Sequence, residues 1–109
     1  MSGVSYGLSP QVWELSEAMF GQRHRLALMA AIAQSDDGIV NPSELADTLG
    51  FRAQSSIQMP LKRLVEAGLL TRIAGLEGRV YYRREDSHAW AFALELVARA
   101  LTSQDAATQ

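Results

Sequence analysis

Apolar positions in the first third of the chain recur at helical spacing. Val12, Leu15 and Met19 fall on one side of a stretch that opens with Ser9 and Pro10, a capping residue followed by one suited to the first helical turn. This pattern predicts a helix over 10–20, interrupted at Gly21. A second helix is predicted over 22–34, with Leu26, Met29, Ala30, Ile32 and Ala33 as buried candidates. The polar Ser35-Asp36-Asp37-Gly38 ends it.

The next signals are sharper. Asn41 can cap a helix, Pro42 suits its first position, and Glu44 lies three residues after the cap, where its carboxylate reaches back to the Asn41 N–H. Leu45, Ala46 and Leu49 form the apolar stripe, and Gly50 supplies a left-handed stop, so the helix spans about two turns. A connector over 51–54 leads to a second candidate cap, Ser55. Ile57, Leu61, Leu64 and Val65 then recur along one face of a helix over 55–67 that ends at Gly68. From Leu69 the period shortens. Extended runs over 69–73 and 79–84 flank the turn Ala74-Gly75-Leu76-Glu77-Gly78. In the second run Val80 and Tyr82 alternate with Arg79, Tyr81 and Arg83. Asp86 or Ser87 caps a last helix over 88–102.

The expected fold is therefore mainly α with a small β-hairpin wing: a winged helix-turn-helix with helical dimerisation elements at both ends. One domain over 9–102 is expected, with mobile ends at 1–8 and 103–109. A chain of 109 residues, 48% hydrophobic and 20% charged, has the composition of a single soluble globular domain. Neither a signal peptide nor a membrane-spanning run is visible, so a cytoplasmic location is expected. The absence of cysteine excludes disulfides, thiolate metal sites and cysteine nucleophiles.

The net charge of −2 argues at first against a nucleic-acid partner, but its distribution reverses the argument. Residues 52–84 hold seven bases (Arg52, Lys62, Arg63, Arg72, Arg79, Arg83, Arg84) and two acids (Glu66, Glu77), 7 − 2 = +5. The remainder holds three bases and ten acids, 3 − 10 = −7. Attraction to phosphate depends on the contacting face rather than on the total.

Two short helices joined by a tight turn and followed by a basic hairpin form a motif that places its second helix in the major groove of duplex DNA. With Ile57, Leu61, Leu64 and Val65 facing the core, Ser55, Gln58, Met59 and Lys62 share the opposite face. Gln58 has the amide that pairs with adenine N6 and N7, and Met59 suits a thymine methyl. Gln54, Ser55 and Ser56, beside the helix N-terminus, suit phosphate or base-edge contacts. Arg52, Lys62 and Arg63 are candidate phosphate contacts. In the wing, Arg79 is the leading backbone or minor-groove contact, with Arg72, Arg83 and Arg84 flanking it. Pro60 cannot donate to the Ser56 carbonyl, so the recognition helix is expected to start late or bend.

The segments RHRLALMAAIA (23–33), SELADTLGF (43–51), SSIQMPLKRLVEAGLL (55–70) and GRVYYRRE (78–85) resemble the ArsR-like winged-helix transcriptional regulators, with the MarR-type group as the wider relation. The resemblance implies a homodimeric DNA-binding regulator of the repressor type, with the first and last helices forming much of the dimer interface. Many ArsR-like proteins sense metals. Here Asp86 and His88 match the start of one such site, but Arg99 stands where a further histidine is expected, and no metal is assigned.

The last helix carries two apolar stripes, Trp90, Leu94, Val97 and Leu101 beside Ala89, Phe92, Ala93, Leu96 and Ala100. One covers the core and the other is available to a second copy. The candidate interface is Trp13, Phe20, Trp90, Phe92, Ala93, Leu96, Val97 and Ala100. The competing reading is a winged-helix adaptor that binds protein rather than DNA. No catalytic motif or cofactor motif is present, so an enzyme is not expected. A small-molecule effector near Tyr6, Trp13 and Trp90 is a further option that no residue identifies.

Overall fold

The computed structural model describes residues 9–51 and 55–107, with the side chains of 55, 56 and 103–107 outside the description. Its elements run α1 (Pro10–Phe20), α2 (Arg25–Ala33), β1 (Ile39–Val40), α3 (Pro42–Leu49), α4 (Ser55–Glu66), β2 (Leu70–Ala74), β3 (Val80–Arg84) and α5 (His88–Ala107). The helices dominate, and the strands form one antiparallel sheet in the order β1-β3-β2. This is a winged helix, with α3 and α4 as the helix-turn-helix and β2–β3 as the wing.

The centre of the domain is α2. Leu26, Ala27, Leu28, Met29, Ala30 and Ile32 are all buried, so this helix is apolar around most of its circumference. It packs against α1, α3, α4 and α5. It begins three residues later than its apolar pattern suggested, and Ser16 supplies the reason. That side chain is completely buried; its hydroxyl donates to the Gln22 carbonyl and accepts from the Leu26 N–H at 3.0 Å. Residues 21–24 are thereby held as a turn. Asn41 caps α3 as expected, its side-chain oxygen accepting from the Ser43 and Glu44 N–H groups at 2.9 and 3.1 Å. Gly50 closes the helix at φ 78°.

Four features differ from the sequence expectation. The hairpin gains a third strand, since Ile39 pairs with Arg83 and Val40 with Tyr82. The recognition helix does not start late: α4 is one element from Ser55 that continues through Pro60, whose ring is buried. The last helix runs to Ala107, beyond the end expected at Thr102, and is capped by Ser87, whose hydroxyl accepts from the Ala89 N–H. Finally, both of its stripes are used within the chain. Trp90, Ala93, Leu96, Val97 and Ala100 are buried in the domain's own core, and Ala89, Leu94 and Leu101 pack against that core. The cause is the position of α5, which packs against both α1 and α2.

Arg84 also has a structural post. A single nitrogen, Nη1, donates to the carbonyls of Ile32, Ala33 and Ser35 at 2.8, 2.9 and 3.1 Å. These carbonyls lie at and just beyond the C-terminal end of α2, where a cation is also favoured by the helix dipole. The Arg84 N–H completes the join by donating to the Gly38 carbonyl at 2.7 Å. Arg84 therefore fastens the sheet to the central helix, and the sequence-based assignment of its charge to DNA is corrected accordingly.

Two substitutions measure these joints. Ser16→Ala leaves the Leu26 N–H without its acceptor and should destabilise the fold by about 1–3 kcal/mol in urea unfolding. Arg84→Met should cost a similar amount, about 1.5–3 kcal/mol for bonds from a charged donor. A variant of unchanged midpoint in either case would show that the joint carries no weight.

Candidate nucleic-acid interface

The sheet register decides which wing residues can act with α4. Pairing of Arg72 with Tyr82, Leu70 with Arg84 and Ala74 with Val80 puts these six positions on one face. Thr71, Ile73, Tyr81 and Arg83 occupy the other. The first face turns towards the helix-turn-helix. Between them lies an open trough of about 620 Å³, lined by Asn41, Pro42, Ser43 and Glu44 of the α3 entry, Gln58 of α4, and Arg72, Arg79, Val80 and Tyr82 of the wing. A smaller depression continues it along α4, past Met59, Lys62 and Val65.

This geometry brings together five sequence-predicted residues: Gln58, Met59, Lys62, Arg72 and Arg79. All five are exposed, Met59 to 51%. Ile57, Leu61 and Leu64 on the opposite side of α4 are at most 3% exposed, so the apolar stripe has gone to the core as its spacing required. Lys62, Arg72 and Arg79 form no ion pair among the described residues. With Glu44 as the one acid in the lining, the trough carries 3 − 1 = +2. It offers a concave basic channel with the amide of Gln58 and the thioether of Met59, while the Asn41 amide is engaged in capping α3.

The remaining candidates are placed elsewhere. Arg63 lies on the far flank of α4 and pairs with Glu66 at 2.9 Å. Arg83 is on the outer face of the wing, paired at 3.2 Å with Glu85, whose other contact is the Thr71 hydroxyl. These hydrogen bonds from Thr71 and Arg83 hold the Glu85 carboxyl below the usual carboxylate range. Arg84 is bound to α2. Arg52 and Gln54 lie outside the described residues, as does Tyr6, and Ser55 and Ser56 are described only as the first residues of α4.

The turn of the wing is tightly closed. The Gly75 N–H donates to the Arg79 carbonyl at 2.7 Å, and the Arg79 N–H to the Leu76 carbonyl at 3.2 Å. A side chain at Gly75 would meet the Tyr81 ring at 2.8 Å, so the aromatic ring covers that backbone directly. Glu77 adopts φ 59°, an uncommon left-handed conformation for a residue other than glycine. Leu76 projects at the turn, 86% exposed. The alternation of the strand sequence foretold the wing but gave no sign of this closure.

Of the proposed dimer positions, Phe92 is 42% exposed, while Trp13 and Phe20 are half-buried. Trp13 meets His24 edge-on at 6.0 Å, with the Arg23 guanidinium 5.2 Å from its ring centre. Trp90 donates from Nε1 to the Glu85 carbonyl at 2.7 Å and so anchors α5 to the end of β3. No described helix is long and apolar enough to cross a membrane.

No family model matches the sequence, and no curated protein does. Among solved structures the chain is similar to the YusO protein from Bacillus subtilis, with a TM-score of 0.56 and 18% sequence identity. The match covers 91% of this chain and 68% of that one, and it supports the winged-helix fold described above.

Proposed function

We propose that this chain is a sequence-specific regulator of transcription that binds double-stranded DNA, belongs with the ArsR-like winged-helix proteins and works as a homodimer. One observation carries the reading: Gln58, Met59 and Lys62 of α4 and Arg72 and Arg79 of the wing line a basic trough and the smaller depression that continues it. A major groove admits an exposed helix face, and the channel beside that helix suits the phosphate strand that borders the groove. Gln58 then reads bases, while Lys62, Arg72 and Arg79 hold backbone.

The dimer reading rests on the outer surface of α1 and α5. Phe92 and Met19 are exposed, and a shallow depression between the two helices is lined by Gln11, Glu14, Leu15, Ala18, Leu96, Arg99 and Ala100. A two-fold pair places two recognition helices about 34 Å apart, one turn of duplex, and reads a near-palindromic site.

Selection of bound duplexes from a random pool tests the function directly. Enrichment of a two-fold sequence with steep loss of affinity at higher salt is expected. Salt-insensitive binding, or none to any duplex, would favour the protein-binding adaptor. On the selected site, Gln58→Ala should cost about 1–3 kcal/mol and relax base preference at one position. Arg79→Ala should weaken binding to selected and random duplexes by the same factor. Equal losses on both duplexes for Gln58→Ala would remove its base-reading role. Phe92→Glu should shift sedimentation from dimer to monomer, and an unchanged dimer would take Phe92 out of the interface.

A further inference from the structure

The exposed face of α4 has a second flank, and it is also basic. At about 100° per residue, Met59 and Glu66 lie along the outward line of the helix, Gln58 and Lys62 fall to the wing side, and Arg63 falls to the other. α4 packs against α2, and Arg25 is the first residue of that helix. Burial, and after it the Arg63 charge, oppose the Arg25 cation. An arginine nevertheless stays charged. Its Nε is buried and has no hydrogen-bond acceptor among the described residues.

Two neighbouring guanidinium groups with a buried, unanswered donor between protein elements are an arrangement that an anion completes. It would accept from the guanidinium nitrogens and cancel the repulsion of like charges. The acid nearest in sequence, Glu66, is bound to Arg63 Nη1 and is itself half exposed, so it is a replaceable partner. The other unsatisfied atoms nearby do not belong to this arrangement. Gln22 Oε1 is an acceptor, and the His24 ring lies against Phe51 at 4.5 Å, where burial and then Arg23 favour its neutral form.

We propose that Arg25 and Arg63 form a second phosphate clamp, on the flank of α4 away from the wing. The inference rests on the DNA-binding reading and deepens it. A major groove about 12 Å wide is bordered by two backbones, and a helix seated in it meets one on each side. The wing trough serves one strand and the Arg25–Arg63 pair the other. Arg25 was not among the sequence candidates, because it stands outside the basic 52–84 segment and next to an apolar run.

Fluorescence anisotropy of the full chain on selected and random duplexes, across a salt series, tests the clamp. Arg25→Gln should weaken both complexes by a similar factor, about tenfold, and reduce the salt slope by about one. Arg25→Lys should keep the slope, because it keeps the charge. Glu66→Gln frees Arg63 and should tighten both complexes several-fold. Should Arg25→Gln fail to fold, as judged by thermal unfolding, the lysine slope and the Glu66→Gln gain decide the matter. Wild-type slope and affinity in Arg25→Gln, or no gain in Glu66→Gln, overturns the clamp while leaving the DNA-binding reading intact. A wild-type chain that binds no duplex overturns both.

Discussion

The seating of Ile57, Leu61 and Leu64 against the core is the contact on which the surface chemistry depends. These three side chains fix the rotation of α4 about its own axis. Once they are buried, Gln58 and Lys62 must face the wing, Met59 and Glu66 must face outwards, and Arg63 must face α2. A rotation by one residue would bury a lysine and withdraw the glutamine from the trough. The same constraint accounts for Pro60. Its missing N–H removes one backbone bond, at a cost of order 3 kcal/mol in an ordinary helix interior. Here the ring itself is buried beside the apolar stripe, which offsets part of that cost and lets the helix continue.

The second member of the site is positioned by a chain of joints. Arg84 fastens β3 to the end of α2, and Trp90 fastens α5 to the end of β3. Because β3 is the middle strand, the wing cannot pivot on it without disturbing both helices. Arg72 and Arg79 are therefore presented from a surface whose orientation is set by the core. That is the preorganisation a recognition surface needs, since less order must be created on binding.

Much of this was legible in the residues alone. Local rules placed the caps at Ser9 and Asn41, the stop at Gly50 and the alternation of β3, because each depends on a few neighbours. Long-range facts escaped. A two-residue strand such as β1 is too short to show a period, and its pairing with β3 is set by tertiary contact. Ser16 looked like any helical serine until its partners six and ten residues on were known. Arg79, Arg83 and Arg84 are nearly adjacent and alike in charge, yet one lines the trough, one pairs with Glu85 and one caps α2. Only register and the position of other elements separate them. The two stripes of α5 posed the same problem: periodicity shows that a face is apolar, but not whether α1, α2 or a second copy covers it.

That division of labour changes the electrostatic argument. The +5 of residues 52–84 overstates what a DNA backbone would meet, since Arg84 is committed to carbonyls and Arg63 and Arg83 already hold carboxylates. Lys62, Arg72 and Arg79 are the cations in the trough. Exposed ion pairs contribute little stability, so those of Arg63 and Arg83 are easily exchanged for phosphate. Binding would then be assembled in two stages of electrostatic strength. Under the proposed function Lys62, Arg72 and Arg79 would attract from the outset, and Arg63 would become available only where a phosphate comes close enough to displace Glu66. Such a surface would gain charge contacts as α4 seats against a duplex, and the protein's own acids would set how firmly any backbone is held.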